Sequence, residues 1–184
     1  MSLTKLLVPT YRQMLKALAG WLDKAEAQAG INAEALLSAR LAPDMYPLST
    51  QIRFACVQAQ EATYRLRRMA FPPSIEGLLD EGRHAGERPG SLDDARARID
   101  ETIALLDGLA PDALDADADS PMAHALPNGM IFDLTAQQYA RDWALGQFYF
   151  HVMIAYAILR NQNIELGKAD YIPHLLPYLR AAEI

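Results

Sequence analysis

The sequence predicts an all-α protein, an antiparallel four-helix bundle with a small β-hairpin before the last long helix. Three observations carry this. Four long segments repeat apolar residues at steps of three and four, no succession of strand-like segments points to a parallel sheet, and Asn128-Gly129 separates two short apolar runs.

The first helix follows from Leu7, Tyr11, Leu15, Leu18, Leu22, Ala25 and Ala29, one stripe within Thr4 to Gly30. Pro9 places its regular start near Val8, because a proline is tolerated in the first turn, and Gly30 ends it. Asn32 then caps a short helix through Ala39. Behind Pro43 and Pro47, Leu48, Ile52, Ala55, Ala59, Ala62, Leu66 and Met69 mark the second helix. Arg65, Arg67 and Arg68 complement the negative end of its dipole, a reading preferred to a basic groove, and Pro72-Pro73 stops it. Gly77 to Gly90 carries Gly82, Gly86, Pro89 and Gly90 among charges and reads as an exposed loop. Ser91 with Asp94 forms a capping box for the third helix, which ends near Pro111.

Met122 to Pro127 and Met130 to Leu134 flank Asn128-Gly129, so a hairpin with a two-residue turn is expected. Thr135 caps the last long helix, which runs through Tyr139 and Trp143, bends near Gly146 and continues to Arg160. Between Phe148 and Leu159 every residue but His151 is apolar or aromatic, so this helix is expected to be buried on most sides. Pro173 and Pro177 leave only short helical pieces after Gly167.

At 184 residues, with 51% hydrophobic and 22% charged, the chain has the length of one domain, residues 1–184. Its 23 acidic and 17 basic side chains give a net charge of -6, which disfavours nucleic acid as a partner. A lone cysteine, the short apolar run Leu6-Leu7-Val8 and the lack of a membrane-length apolar stretch predict a cytoplasmic protein that does not insert in a membrane.

Few residue patterns point to chemistry. Asp115, Asp117 and Asp119 have the spacing of calcium-loop ligands, but Ser120 and Leu126 stand where such a loop needs Gly and Glu, so a solvated acidic loop is the better reading. Cys56 lies beside the second helix's apolar stripe and reads as a buried, inert thiol. His84, His124, His151 and His174 are too scattered for a local metal motif, and the positions three and four from His151 hold Gln147, Phe148, Ile154 and Ala155. Neither a metal nor another cofactor is expected. Glycine-rich phosphate loops and a nucleophile elbow are absent from the sequence.

The segments Leu41-Ala-Pro-Asp-Met-Tyr-Pro-Leu-Ser-Thr-Gln51, Phe148-Tyr-Phe-His-Val-Met-Ile-Ala-Tyr-Ala-Ile-Leu-Arg160 and Leu166-Gly-Lys-Ala-Asp-Tyr171 resemble an uncharacterised bacterial and fungal domain family of the DinB/YfiT-like superfamily of helical metalloenzymes. The resemblance implies a four-helix bundle with a pocket between its second and last long helices. In better-understood members similar to thiol-dependent transferases and isomerases, it also implies a divalent metal on three histidines, one on the second helix and two spaced by four on the last. Here the second helix has no histidine between Leu48 and Met69, and His151 stands alone on the last.

Two readings follow. In the first, the chain has lost the three-histidine site and is a small-molecule-binding or dimeric interaction module, with Gln51, Gln58, Gln147, His151 and Tyr156 lining the ligand site. The aromatic run Phe148, Tyr149, Phe150 and Tyr156 then supplies a pocket wall or a homodimer contact through bundle helices. In the alternative, His151 is the acid or base of a transferase or isomerase, with Gln51 and Gln58 as pocket partners. Arg160 points away from His151 and is expected to pair with Asp44 or Asp170. A dry, filled His151 site favours the first reading, and an open pocket with convergent polar groups the second.

Overall fold

Ser2, accepting from the Lys5 amide through its hydroxyl, opens helix α1, Leu3–Ala29. The computed structural model describes residues 2–116 and 118–180, so Asp117 of the acidic run lies outside the described residues. Pro9 sits inside α1, six residues beyond its first, and the helix does not wait for Val8. Pro9 and Lys5, whose carbonyl loses its amide partner, are both exposed, so water replaces the missing bond. A 3-10 helix, Gly30–Ser38, follows.

Helix α2, Leu48–Leu66, buries its predicted stripe as far as Leu66, while Met69, expected on the same stripe, lies beyond the helix end and is exposed. Arg67 donates through Nε to the Thr63 carbonyl at 3.0 Å, which fits the capping reading of the arginines, and Arg68 takes a left-handed φ of 55° that turns the chain out of the helix. The loop expected from Gly77 to Gly90 is helical as far as His84, and only residues 85–90 are turn and loop. Helix α3, Pro73–His84, starts on its proline and buries Ile75, Leu78 and Gly82 at steps of three and four. Gly82 is there for closeness: a Cβ at that position would lie 2.5 Å from the Phe54 ring, and Thr50 Oγ1 donates to the Gly82 carbonyl at 2.8 Å. Helix α4, Leu92–Asp107, carries the predicted Ser91–Asp94 capping box.

Strands β1, Pro121–Ala125, and β2, Ile131–Thr135, pair antiparallel with His124 opposite Phe132. The turn is longer than the expected two residues. The Gly129 amide donates to the Leu126 carbonyl at 3.0 Å, the Leu126 amide to the Met130 carbonyl at 2.8 Å, and Gly129 alone in the loop has a positive φ, 87°. This is a three-residue loop closed by a glycine bulge. Thr135 and Gln138 cap each other at the start of α5, Ala136–Gln138. A π-helical turn, Tyr139–Ala144, with the Leu145 amide bonded to the Ala140 carbonyl, joins it to α6, Leu145–Asn161. The irregularity thus comes before Gly146, as an inserted residue in the hydrogen-bond ladder. Helix α6 is also less buried than its composition predicts: Phe150 and Met153 are 54% and 40% exposed. A short α7, Lys168–Tyr171, and a 3-10 turn, Pro173–Tyr178, follow.

The structure is mostly helical with one small hairpin. Helix α2 packs against α3, α4 and α6, and α1 against α4 and α6, around a continuous core that includes Leu15, Trp21, Ile52, Ile99, Phe148 and Ile158. Among the described residues no helix is long and apolar enough to cross a membrane. Cys56 is buried, and burial pushes its thiol up to about 12, which suits a packing role. Asp170 is held by Lys24 of α1 and the Gly167 amide, while Arg160 donates to the Ile164 carbonyl at 3.4 Å, so among the described residues Arg160 pairs with neither Asp44 nor Asp170 as expected.

Candidate functional site

The structure brings together two of the residues expected to share a site. His151 on α6 is 8% exposed, and its Nδ1 lies 2.9 Å from Gln51 Oε1 on α2. Gln51 Nε2 donates to the Tyr46 carbonyl at 3.2 Å, which fixes the amide and makes Nδ1 the donor. Phe54 and Phe150 stand edge-on to the imidazole, each with centroids 5.3 Å away, and burial holds its pKa down at about 4. The immediate surroundings are therefore a neutral, hydrogen-bonded ring between aromatics. Gln147 lies one turn before it, half-exposed. Tyr156 does not join it: its hydroxyl donates to the Leu166 carbonyl at 3.3 Å, and its ring packs on Trp21 and Tyr171.

The metal that the resemblance implies does not fit these residues. Opposite His151 stands an amide, Gln51, and the α6 positions four before and four after hold Gln147 and Ala155, a set with one good nitrogen donor. Among the described residues no three His, Cys, Asp or Glu come together to hold a metal ion.

Gln58 lies elsewhere, in a cavity of about 500 Å³ between α2, α3, the hairpin and the π-turn. Strand alternation builds one wall: Pro121, Ala123 and Ala125 face out, Met122 is half-buried and His124 turns inward, 2% exposed. The π-turn supplies two aromatic neighbours four residues apart, Tyr139 and Trp143, with centroids 5.2 and 4.4 Å from the His124 ring. Both ring nitrogens of His124 are buried, with no hydrogen-bond partner among the described residues. Burial first, and Arg65 second, hold its pKa down at about 4, so the ring is neutral at pH 7.

Arg65 is the other unusual group. Its guanidinium lies over Phe71, 4.8 Å from the ring centre, and its Nε is 3.9 Å from Glu61, too far for a hydrogen bond. That buried Nε also has no acceptor among the described residues. Burial raises the Glu61 carboxyl above its ordinary range, against the pull of Arg65 and Arg83. Arg65 and Phe71 also border a second cavity of about 450 Å³, lined by Arg68, Met69 and the first three residues of β1, Pro121, Met122 and Ala123.

Neither His124 nor Arg65 was singled out in sequence as a site residue. The signal was the alternation within the hairpin, which places a histidine, not an apolar residue, on the strand face that covers the helices.

The crystal structure of a DinB family member protein from Shewanella denitrificans is similar to this chain, with a TM-score of 0.74 and 31% identity over 92% of this chain and 91% of that one. None of the curated proteins compared matches the sequence. The resemblance carried by residues 41–51, 148–160 and 166–171 agrees with the structural match. Residues 3–172, nearly the whole chain, match the family described as a domain of unknown function, DUF1993, and the chain belongs to that family.

Proposed function

We propose that the chain is a single cytoplasmic domain, an antiparallel bundle of α1, α2, α4 and α6 that binds a small molecule without the three-histidine metal, in the cavity beside His124. The observation that carries this reading is the unpartnered imidazole. A buried polar ring with neither nitrogen bonded costs roughly 1–3 kcal/mol, and here it borders a hollow of ligand size. The hydrogen-bonded, aromatic-flanked state of His151 supports a binding module over acid–base catalysis at that residue.

His124→Leu tests it. The variant is expected to be more stable than the natural chain by about 1–3 kcal/mol in urea denaturation, because it removes two unsatisfied polar atoms and keeps the volume. It is also expected to lose the ligand-induced shifts of the Trp143 indole signal in a fragment screen. A destabilised variant, or one that keeps those shifts, refutes the site.

A homodimer is the second part of the proposal, supported by the exposed Tyr46, Phe150 and Met153 around the Phe54–His151 contact. Light scattering at micromolar concentration is expected to give twice the chain mass, and F150D the mass of one chain. A single-chain mass for the natural protein sinks this part.

A further inference from the structure

The cavity beside His124 has a polarity that narrows its occupant. Its inner polar groups are the Arg65 guanidinium, the Glu61 carboxylate and the neutral His124 ring; Arg83 and Glu76 stand at its exposed rim, and Gln58 lies on the α2 wall. Glu61 is flanked by two arginines and hydrogen-bonds neither. One Arg65 donor, Nε–H, is sealed from water with no acceptor among the described residues. The neutral imidazole adds one N–H donor and one acceptor. The remaining wall is apolar: Phe71, Ile75, Leu79 and Trp143.

Resting on the small-molecule reading above, we infer that this cavity takes a small amphipathic carboxylate, its anionic head reaching the buried Arg65 Nε–H and a His124 N–H as the hairpin yields to uncover them, its apolar body against Phe71, Leu79 and Trp143. A carboxylate oxygen is the acceptor that a buried guanidinium N–H lacks, and charge assistance makes that bond stronger than one to a neutral oxygen. Arg65 and Arg83 oppose a cationic amine and Glu61 and Glu76 attract it, but an ammonium group has no acceptor to offer the orphaned Arg65 donor. A dianion is disfavoured because the acidic Glu61 and Glu76 already face these arginines and burial keeps His124 neutral. The volume of about 500 Å³ has room for a head group and a chain or ring of several carbons.

The carboxylate also changes the titration of His124. The groups that face it are Arg65 and Glu61 from α2, Arg83 and Glu76 from α3, and Tyr139 from the π-turn. An anion seated between Arg65 and the ring offsets the arginine's charge and accepts from the imidazolium, so the histidine binds its proton more tightly.

The test is a titration of the full chain, with ring-nitrogen labelling of its histidines, by hexanoate and benzoate, with hexanol and hexylamine as neutral and cationic counterparts. The expected result is saturable movement of the His124 and Trp143 signals with a carboxylate, a rise of the His124 pKa from about 4, and binding weakened about tenfold or more in R65Q. If hexanol or hexylamine moves these signals as strongly as the carboxylates, the cavity binds small molecules and the carboxylate assignment falls. If none of the four probes moves them, both readings fall. The pKa readout is made on the natural chain, so it decides even where R65Q fails to fold.

Discussion

Lowering the pH from 7.5 to 4.5 is expected to strip several kcal/mol of stability from the protein. His124 and His151 are 2% and 8% exposed, and both are pushed from an ordinary value of 6.5 to about 4, in each case chiefly by burial. Each ring binds its proton more weakly in the folded chain than in the unfolded one. As pH falls through 6.5 the unfolded chain protonates first, and the native state loses ground until about pH 4, where the folded rings titrate. The loss is on the order of 2–3 kcal/mol for each ring. The opposing contribution comes from Glu61, whose raised carboxyl takes up its proton earlier in the folded state. Asp94 and Asp170 are lowered from 3.8, so what they contribute is lost below this window. Urea denaturation at the two pH values measures the change. Combining His124→Leu with Gln51→Leu and His151→Leu is expected to flatten it. Equal stability of the natural chain at pH 7.5 and 4.5 contradicts the assignment of both rings as neutral.

Phe148→Ala is the single substitution with the largest expected cost, about 3–5 kcal/mol. Phe148 has no exposed surface, meets Tyr11 of α1 edge-on with centroids 4.7 Å apart, and sits on the α6 face that joins the core. Its removal deletes both the buried area and the ring contact, in a region where few atoms can move in to fill the space. Since folded domains are stable by roughly 5–15 kcal/mol, the variant is expected to unfold at a much lower urea midpoint. A loss below about 1 kcal/mol would show that the α1–α6 interface repacks freely, contrary to the usual cost of a cavity left in a close-packed core.

The long helices were legible because each buries one stripe against a shared core, and a stripe leaves a period of three and four in the sequence. Helix α3 was not legible for a local reason. Gly82 signals a loop when read alone, yet it is the residue that lets α3 close on Phe54. Pro9 misled in the same way, since an exposed helix face can lose one internal hydrogen bond to water. The π-turn had no sequence signature, because an inserted residue in the ladder changes neither composition nor capping. At the candidate site, the Gln51–His151 contact was within reach of spacing arguments, whereas the cavity was not. Its walls come from α2, α3, β1 and the π-turn, which are distant in sequence.

The hairpin's own energetics set how that cavity communicates with solvent. Its one fully buried side chain is His124; Met122 and Leu134 are only half-buried, while both strands keep their cross-strand ladder wherever the ribbon lies. Lifting the ribbon gives the imidazole the water it lacks when docked but uncovers the Tyr139 and Trp143 rings beneath it, and this local opening is expected to cost less than unfolding the helices. Entry and departure of the proposed occupant are then expected to follow this local opening and not global unfolding, and an occupant that satisfies the ring is expected to hold the ribbon down.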